Sequence, residues 1–177
     1  MSDLSNTPTV SIRPVVAGDE PAVAAVIRAA FGQDTEARLV HNLRHCGALE
    51  LERLAETADG RIVGHVAFSR VTGAGAGHRL QIVCMAPVSV VPDLQRMGVG
   101  SALITAALAD LRARGEDLVL VLGPPAYFPR FGFDAGLARQ VQAPYAGAAF
   151  MALALTEAGR RDLPVEVSFA TPFEEFE

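Results

Sequence analysis

The stretch VVPDLQRMGVGSALI, residues 90–104, decides how this chain is read. A β-branched run ends at Pro92, and Gln95 and Arg96 lead into Gly98 and Gly100, where a helix begins. Glycine inside a helix costs about 1 kcal/mol relative to alanine. Two of them, one residue apart at a helix start, suggest that something approaches the backbone closely. The first turn of a helix carries unpaired N–H groups and the positive end of the macrodipole, so an anion there gains from both. Without the two Cβ atoms a phosphate comes nearer. Each charged hydrogen bond contributes roughly 1.5–3 kcal/mol, and Arg96 adds a charged contact, enough to anchor a diphosphate without a metal. Close helix–strand packing is the other reading of the same glycines. Two phosphate motifs are weakened. No lysine precedes Ser101 as a P-loop requires. The third glycine of a dinucleotide fingerprint is replaced by Leu103, and Val119, Leu120 and Val121 stand where its acidic residue belongs.

The rest of the chain bounds the answer. Its 177 residues suit one domain, expected over 1–177 with a core of about 9–170 and a frayed acidic tail. Half the residues are hydrophobic and a fifth are charged, so a packed core is expected. A net charge of −5 with no basic run argues against nucleic-acid and anionic-membrane partners. Cys46 and Cys84 form no CxxC and read as reduced thiols. MSDLSNTPTV has neither a basic n-region nor an apolar h-region. The longest apolar run, Ala146 to Leu155, is ten residues, against about 20 for a membrane span. The expected setting is cytoplasmic.

Periodicity supplies the elements. TVSIRPV alternates and reads as a first strand. Asp19 reads as an N-cap with Pro21 behind it, and Val23, Val26, Ile27, Ala30 and Phe31 share a helical face that ends at Gly32. A second helix starts near Asp34 and stops at Gly47. Asp59-Gly60 between two alternating runs signals a hairpin. Gly73 to His78 reads as a flexible loop. A strand follows from about Leu80 to Val91, with a distortion expected at Pro87. Then come a helix from Gly98 to Arg114, a doubly buried strand in DLVLVLG, a short broken helix in PPAYFPRFGF, and strands in FMALAL and LPVEVSF. The fold expected is α+β with a mixed central sheet.

The segment Gln95-Arg96-Met97-Gly98-Val99-Gly100 resembles the Gln/Arg-x-x-Gly-x-Gly/Ala motif of the GCN5-related N-acetyltransferases (GNAT). The order of elements is similar to that family's from about residue 9 to 155, and Gly132-Phe133 matches the Gly-Phe that closes its short helix. GPPAYFPRFGF also resembles a bacterial subgroup of uncharacterised acetyltransferases with a Tyr-Pro-Arg-Phe-Gly-Phe segment. The resemblance implies a sheet splayed between its fourth and fifth strands and flanked by helices. It implies acetyl-CoA as the acyl donor, with no metal. Backbone at Val88, Ser89 and Val90 would pair with the pantetheine amides, and Gln95, Arg96, Met97, Gly98, Val99, Gly100 and Ser101 would form the diphosphate loop.

The implied reaction is direct attack of a neutral amine on the thioester, after loss of a proton from the ammonium form. The acceptor is a small-molecule or peptide amine, and the second helix with the loops after Gly73 and Ala135 would shape its site. The family's usual tyrosine falls four residues before Gly132, at Phe128, which stays among the cofactor-binding candidates but cannot donate a proton. Three alternatives follow: Tyr127 serves as the acid through a distortion at Pro129, water protonates the thiolate, or catalysis is impaired. The last leads to a rival reading, a non-catalytic acyl-CoA-binding module. Glu50 and Glu52 share a strand face and are candidate bases, with a solvated face as the plainer account. His65 lies on an apolar strand and reads first as a core histidine. His41 and His45 lie at i and i+4, a metal-capable spacing without a third ligand. Cys84 reads as a small buried hydrophobe. A monomer and a homodimer are both open, the latter through a strand at Val165 to Phe169.

Overall fold

A computed structural model of the chain describes residues 8–145 and 147–176. The strands are β1 (Val10–Pro14), β2 (Leu49–Thr57), β3 (Ile62–Ala74), β4 (Ile82–Val90), β5 (Leu118–Leu122), β6 (Val141–Gln142), β7 (Phe150–Ala154) and β8 (Val165–Ser168). Their order is β1-β2-β3-β4-β5-β7, with β6 and β8 paired to each other and β8 also to β3. The β4–β5 pair is parallel, and β5–β7 is antiparallel. The mixed α+β architecture read from the sequence is the one observed. The chain divides into two compact units, one of residues up to Ala67 and Pro87–Leu108, the other of Phe68–Ala86 and the chain from Ala109 on.

In the first unit, β1 (Val10–Pro14) pairs antiparallel with β2 (Leu49–Thr57), Val10 opposite Thr57 and Pro14 opposite Arg53. The strand lies at the end of the order, where a proline is tolerated. α1 (Glu20–Phe31) has Pro21 in its first turn and buries Val23, Val26 and Ile27, the spacing of one helical face. Gly32 ends it with φ +69° and an N–H donating to the Arg28 carbonyl at 2.8 Å. α2 (Thr35–His45) buries Ala37, Leu39, Val40 and Leu43. These faces meet in a core of Val23, Ile27, Ala37, Val40, Leu54 and Ala67. Each large side chain there contributes about 1.5–3 kcal/mol by leaving water. The Asp59-Gly60 turn joins β2 to β3 (Ile62–Ala74), with Gly60 at φ +87°.

β4 (Ile82–Val90) begins in the second unit, up to Ala86, beside β5 (Leu118–Leu122), and their register runs over three pairs, Ile82–Leu118 to Cys84–Leu120. β5 pairs along its whole length with β7 (Phe150–Ala154), Leu118 opposite Ala154 and Leu122 opposite Phe150. Leu118, Val119, Leu120 and Val121 are buried, as expected for a strand covered on both faces. Asp117 pins the start of β5: its carboxylate accepts from the Gln81 N–H at 2.8 Å and the Thr156 hydroxyl at 2.6 Å. Glu116, 5 % exposed, receives a two-point hydrogen bond from Arg70 at 2.7 and 2.8 Å.

Several local expectations are revised. Gly73 is strand and not loop, because Thr72–Ala74 pair with Ser168–Glu166 of β8 (Val165–Ser168). The glycines serve close approach: a Cβ on Gly77 would lie 2.7 Å from that of Val165. β8 is paired to β3 on one side and to β6 (Val141–Gln142) on the other, so both its edges are taken within the chain. Two short helices were not foreseen, α4 (Ala135–Ala138), capped by Asp134, and α5 (Glu157–Arg161), capped by Thr156. α3 runs Val99–Ala113, and Gly115 beyond it has φ +81°. The tail read as frayed carries a 3₁₀ turn, Thr171–Phe176, with Phe173 9 % exposed.

Candidate active site

In the first unit, β4 ends at Val90, a 3₁₀ turn spans Pro92–Leu94, and α3 opens at Val99. The linking residues Gln95, Arg96, Met97 and Gly98 are all exposed. Arg96 has φ +64°, the one non-glycine residue with positive φ among the described residues. That conformation costs a residue with a side chain on the order of 1–2 kcal/mol. Gly98 has φ +89°, and a Cβ built on it meets nothing within 4 Å. It is therefore no packing glycine: its backbone demands glycine and the space over it is open. α3 has 15 residues and carries a full N-terminal set of amides, Val99 and Gly100 among them. Val99 is buried and anchors that turn. Gln95, by contrast, spends its side chain on the fold, its amide donating to the Val90 carbonyl at 2.9 Å. Arg61 and Asp93 pair at 3.1 Å and brace the preceding turn.

On β4, Val88 and Val90 are half-buried, while Ser89 is 1 % exposed and its hydroxyl has no hydrogen-bond partner. The adjacent strand is close: the Val91 N–H donates to the Val63 carbonyl at 3.0 Å, and a Cβ on Gly64 would lie 3.3 Å from the Ser89 carbonyl. Next along β3, His65 is fully buried. Its Nε2 is 2.9 Å from Glu52, and its Nδ1 has no partner. Glu52 in turn accepts from Arg44 of α2 at 2.7 Å, and Arg44 lies 3.3 Å from Glu20 of α1. Burial is the largest influence on the Glu52 carboxyl and raises its pKa. The hydrogen bonds from His65 and Arg44 together outweigh it and hold the group below the ordinary carboxylate value. Glu20 and Arg44 also line a cavity of about 270 Å³ between α1 and α2, together with Arg28, Arg38 and His41.

In the second unit, the β4–β5 register stops at Cys84–Leu120, although Val121 and Leu122 remain paired to β7 on the other side. Leu122 is 51 % exposed. Pro87 lies three residues beyond the last pair, within a β4 that continues to Val90. The following turn, Phe128–Phe131, is 3₁₀, with Tyr127 before it and Gly132 at φ +100° closing it. Phe128 is 7 % exposed and packs over Gly123, where a Cβ would lie 2.4 Å from its ring. Its edge also meets Phe133. Tyr127 is half-buried. The Arg130 guanidinium sits 4.3 Å from its ring centre, and Arg130 Nε donates to the Tyr127 carbonyl at 2.9 Å. Cys84 is buried, which pushes its thiol up to about 12 and disqualifies it as a nucleophile. His41 and His45 stack on each other with ring centres 5.4 Å apart. No group of three metal-capable side chains occurs among the described residues, and no described helix is long and apolar enough to cross a membrane.

The sequence names Glu52 and His65 separately. It gives no sign of Arg44, whose place in a helix's last turn has an ordinary explanation in the helix dipole.

Comparison with known proteins converges on one family. A family model described as an acetyltransferase (GNAT) domain matches residues 11–136. The uncharacterised N-acetyltransferase YhbS of Escherichia coli K12 is 39 % identical over 123 residues, 70 % of this chain and 72 % of that protein. The uncharacterised N-acetyltransferase YjhQ of the same strain is 39 % identical over 106 residues, 59 % of each. The crystal structure of E. coli YhbS in complex with CoA superposes with a TM-score of 0.87 at 32 % identity, covering 96 % of this chain and 94 % of that one. A Brucella melitensis GNAT acetyltransferase in complex with acetyl-CoA gives 0.76 at 32 % identity, covering 93 % and 98 %.

Proposed function

The chain belongs to the acetyltransferase (GNAT) family, and from that premise we propose that it moves an acetyl group from acetyl-CoA to a primary amine, gripping the diphosphate with the loop of residues 95–101. The observation that carries this reading is the conformation at Arg96 and Gly98. Positive φ at Arg96 and, two residues on, at Gly98, on an exposed loop with open space above Gly98 and a 15-residue helix behind, suits a cradle of main-chain amides. A bare diphosphate fits such a cradle, because it accepts several N–H bonds at once and a side chain there would block it. CoA bound to one similar acetyltransferase of known structure and acetyl-CoA bound to another support the same assignment.

When bound, acetyl-CoA supplies the acetyl carbonyl and a thiolate leaving group. The chain supplies the rest. Amides of residues 96–101 hold the diphosphate, and Gln95 fixes the loop to the end of β4. Main-chain groups of Val88, Ser89 and Val90 hold the pantetheine arm in the manner of an added strand. A backbone N–H near Val90 stabilises the carbonyl oxygen as charge develops on it. Tyr127 protonates the departing thiolate. Phe128 is committed to packing over Gly123, whereas Tyr127 carries a hydroxyl and has a guanidinium on its ring.

Members of the family act on amine acceptors. The test is a panel of alkylamines, arylamines and short peptides with acetyl-CoA, scoring CoA release beside calorimetric acetyl-CoA affinity. Turnover with at least one amine is expected. Tight binding without turnover on any of them would favour the non-catalytic module that Phe128 suggested.

A further inference from the structure

Resting on acetyl transfer as proposed above, we propose that His65 takes the proton from the acceptor's ammonium group through one water shared with Ser89, and that Glu52 is its positioning residue. The reasoning starts from hydrogen-bond direction. Glu52 is held ionised by Arg44 and His65, so it accepts only. The proton in the 2.9 Å contact therefore belongs to His65 Nε2. In the neutral ring that leaves Nδ1 as a bare lone pair, and it has no partner although His65 is fully buried. An unmet buried polar atom of this kind costs roughly 1–3 kcal/mol. Ser89 Oγ is a second unmet atom, at 1 % exposure. The two lie on adjacent strands whose approach is fixed by Gly64 against the Ser89 carbonyl. One water bonded to both would satisfy the pair, and Ser89 belongs to the β4 segment proposed above for the thioester arm.

The step balances without a co-reactant. An N–H bond of the ammonium breaks, its proton passes to the water, and the water passes one to His65 Nδ1. The freed nitrogen lone pair forms the C–N bond, and the C–S bond breaks. The nitrogen's surplus proton replaces the one given to the thiolate, and His65 releases its proton to solvent. The imidazolium so formed faces the Glu52 carboxylate, which is why the pair is placed there. Among the described residues the charged groups around it are Glu52 of β2, Arg44 of α2 and, at the outer end, Glu20 of α1.

Two measurements test this. Imidazole ¹⁵N spectra of the histidine-labelled protein should show the neutral His65 ring with Nε2 protonated and Nδ1 bare. A ring protonated on Nδ1 would overturn the proposal without any acceptor being known. In the amine panel, His65→Gln should slow an alkylammonium acceptor by about 10²–10⁴-fold. An arylamine, already neutral at pH 7, should lose less than about tenfold, at unchanged acetyl-CoA affinity. Equal losses on both classes, or a loss below about tenfold on the alkylammonium, would overturn it while leaving acetyl transfer in place. A wild-type protein that acetylates no amine would instead overturn the acetyl-transfer reading itself.

Discussion

Gly98→Ala separates a ligand cradle from a structural turn, and its size follows from two numbers. Gly98 sits at φ +89°, and an added Cβ would meet no atom within 4 Å. The cost to the fold is then the backbone strain alone, about 1–2 kcal/mol. For a chain of this size that is a loss of roughly 2–8 °C in Tm. Gly115 provides a matched control. It has φ +81°, equally open surroundings and a place at the far end of α3, so Gly115→Ala should lose a similar amount. The two variants part over ligand. If the Gly98 amide and its neighbour hold phosphate oxygens, a methyl group between them removes one or two charged hydrogen bonds. At roughly 1.5–3 kcal/mol each, one lost bond weakens acetyl-CoA binding by about 10–150-fold. Isothermal calorimetry beside thermal unfolding reads both quantities on the same samples. Acetyl-CoA affinity should fall in Gly98→Ala and hold in Gly115→Ala. Equal affinities in the two variants would refute the cradle, however much stability Gly98→Ala had lost.

Tyr127→Phe should slow turnover by about 10²-fold or more with acetyl-CoA affinity unchanged; an unaltered steady-state rate removes the tyrosine from thiolate protonation. Gly159→Ala would bring a Cβ to within 2.1 Å of the Asp117 carbonyl oxygen, so the turn that caps α5 must shift. A loss of about 1–3 kcal/mol or more is expected, and a melting temperature within about 1 °C of wild type would contradict it. The Asp19 carboxyl is held down to about 2 by Arg13 and by the Val16 N–H. A depressed carboxyl stabilises the fold above its unfolded value of about 3.9 and loses that contribution as pH falls toward 2. Asp19→Asn should therefore flatten acid unfolding between pH 4 and 2, and an unchanged acid profile would show the pair to be inert.

Local chemistry explains how much of this was legible. The Asp59-Gly60 hairpin, the glycines that end α1 and α3, and the doubly buried β5 are written in neighbouring residues and form as read; the N-cap read at Asp19 does not, because its carboxylate accepts from Arg13 and the Val16 N–H and makes no cap bond to α1. The loop of residues 95–101 is legible for the same reason, since glycine spacing and the helix start lie within a few positions. What stays hidden depends on distant chain. Gly73 and Gly77 look like flexible punctuation until Val165 is packed against them. Phe128 looks like a substitution at a catalytic position until Gly123 is seen beneath its ring. The chain Glu20–Arg44–Glu52–His65 draws on α1, α2, β2 and β3, so no spacing within one element announces it. The strain at Arg96 is likewise invisible, because arginine carries no preference for positive φ.

The most direct measurement is a crystal structure with acetyl-CoA bound. The diphosphate oxygens should lie about 2.7–3.1 Å from the backbone nitrogens of residues 96–101, over Gly98. A diphosphate seated elsewhere, with those amides facing bulk water, would contradict the central claim that this loop is the anion grip of the enzyme.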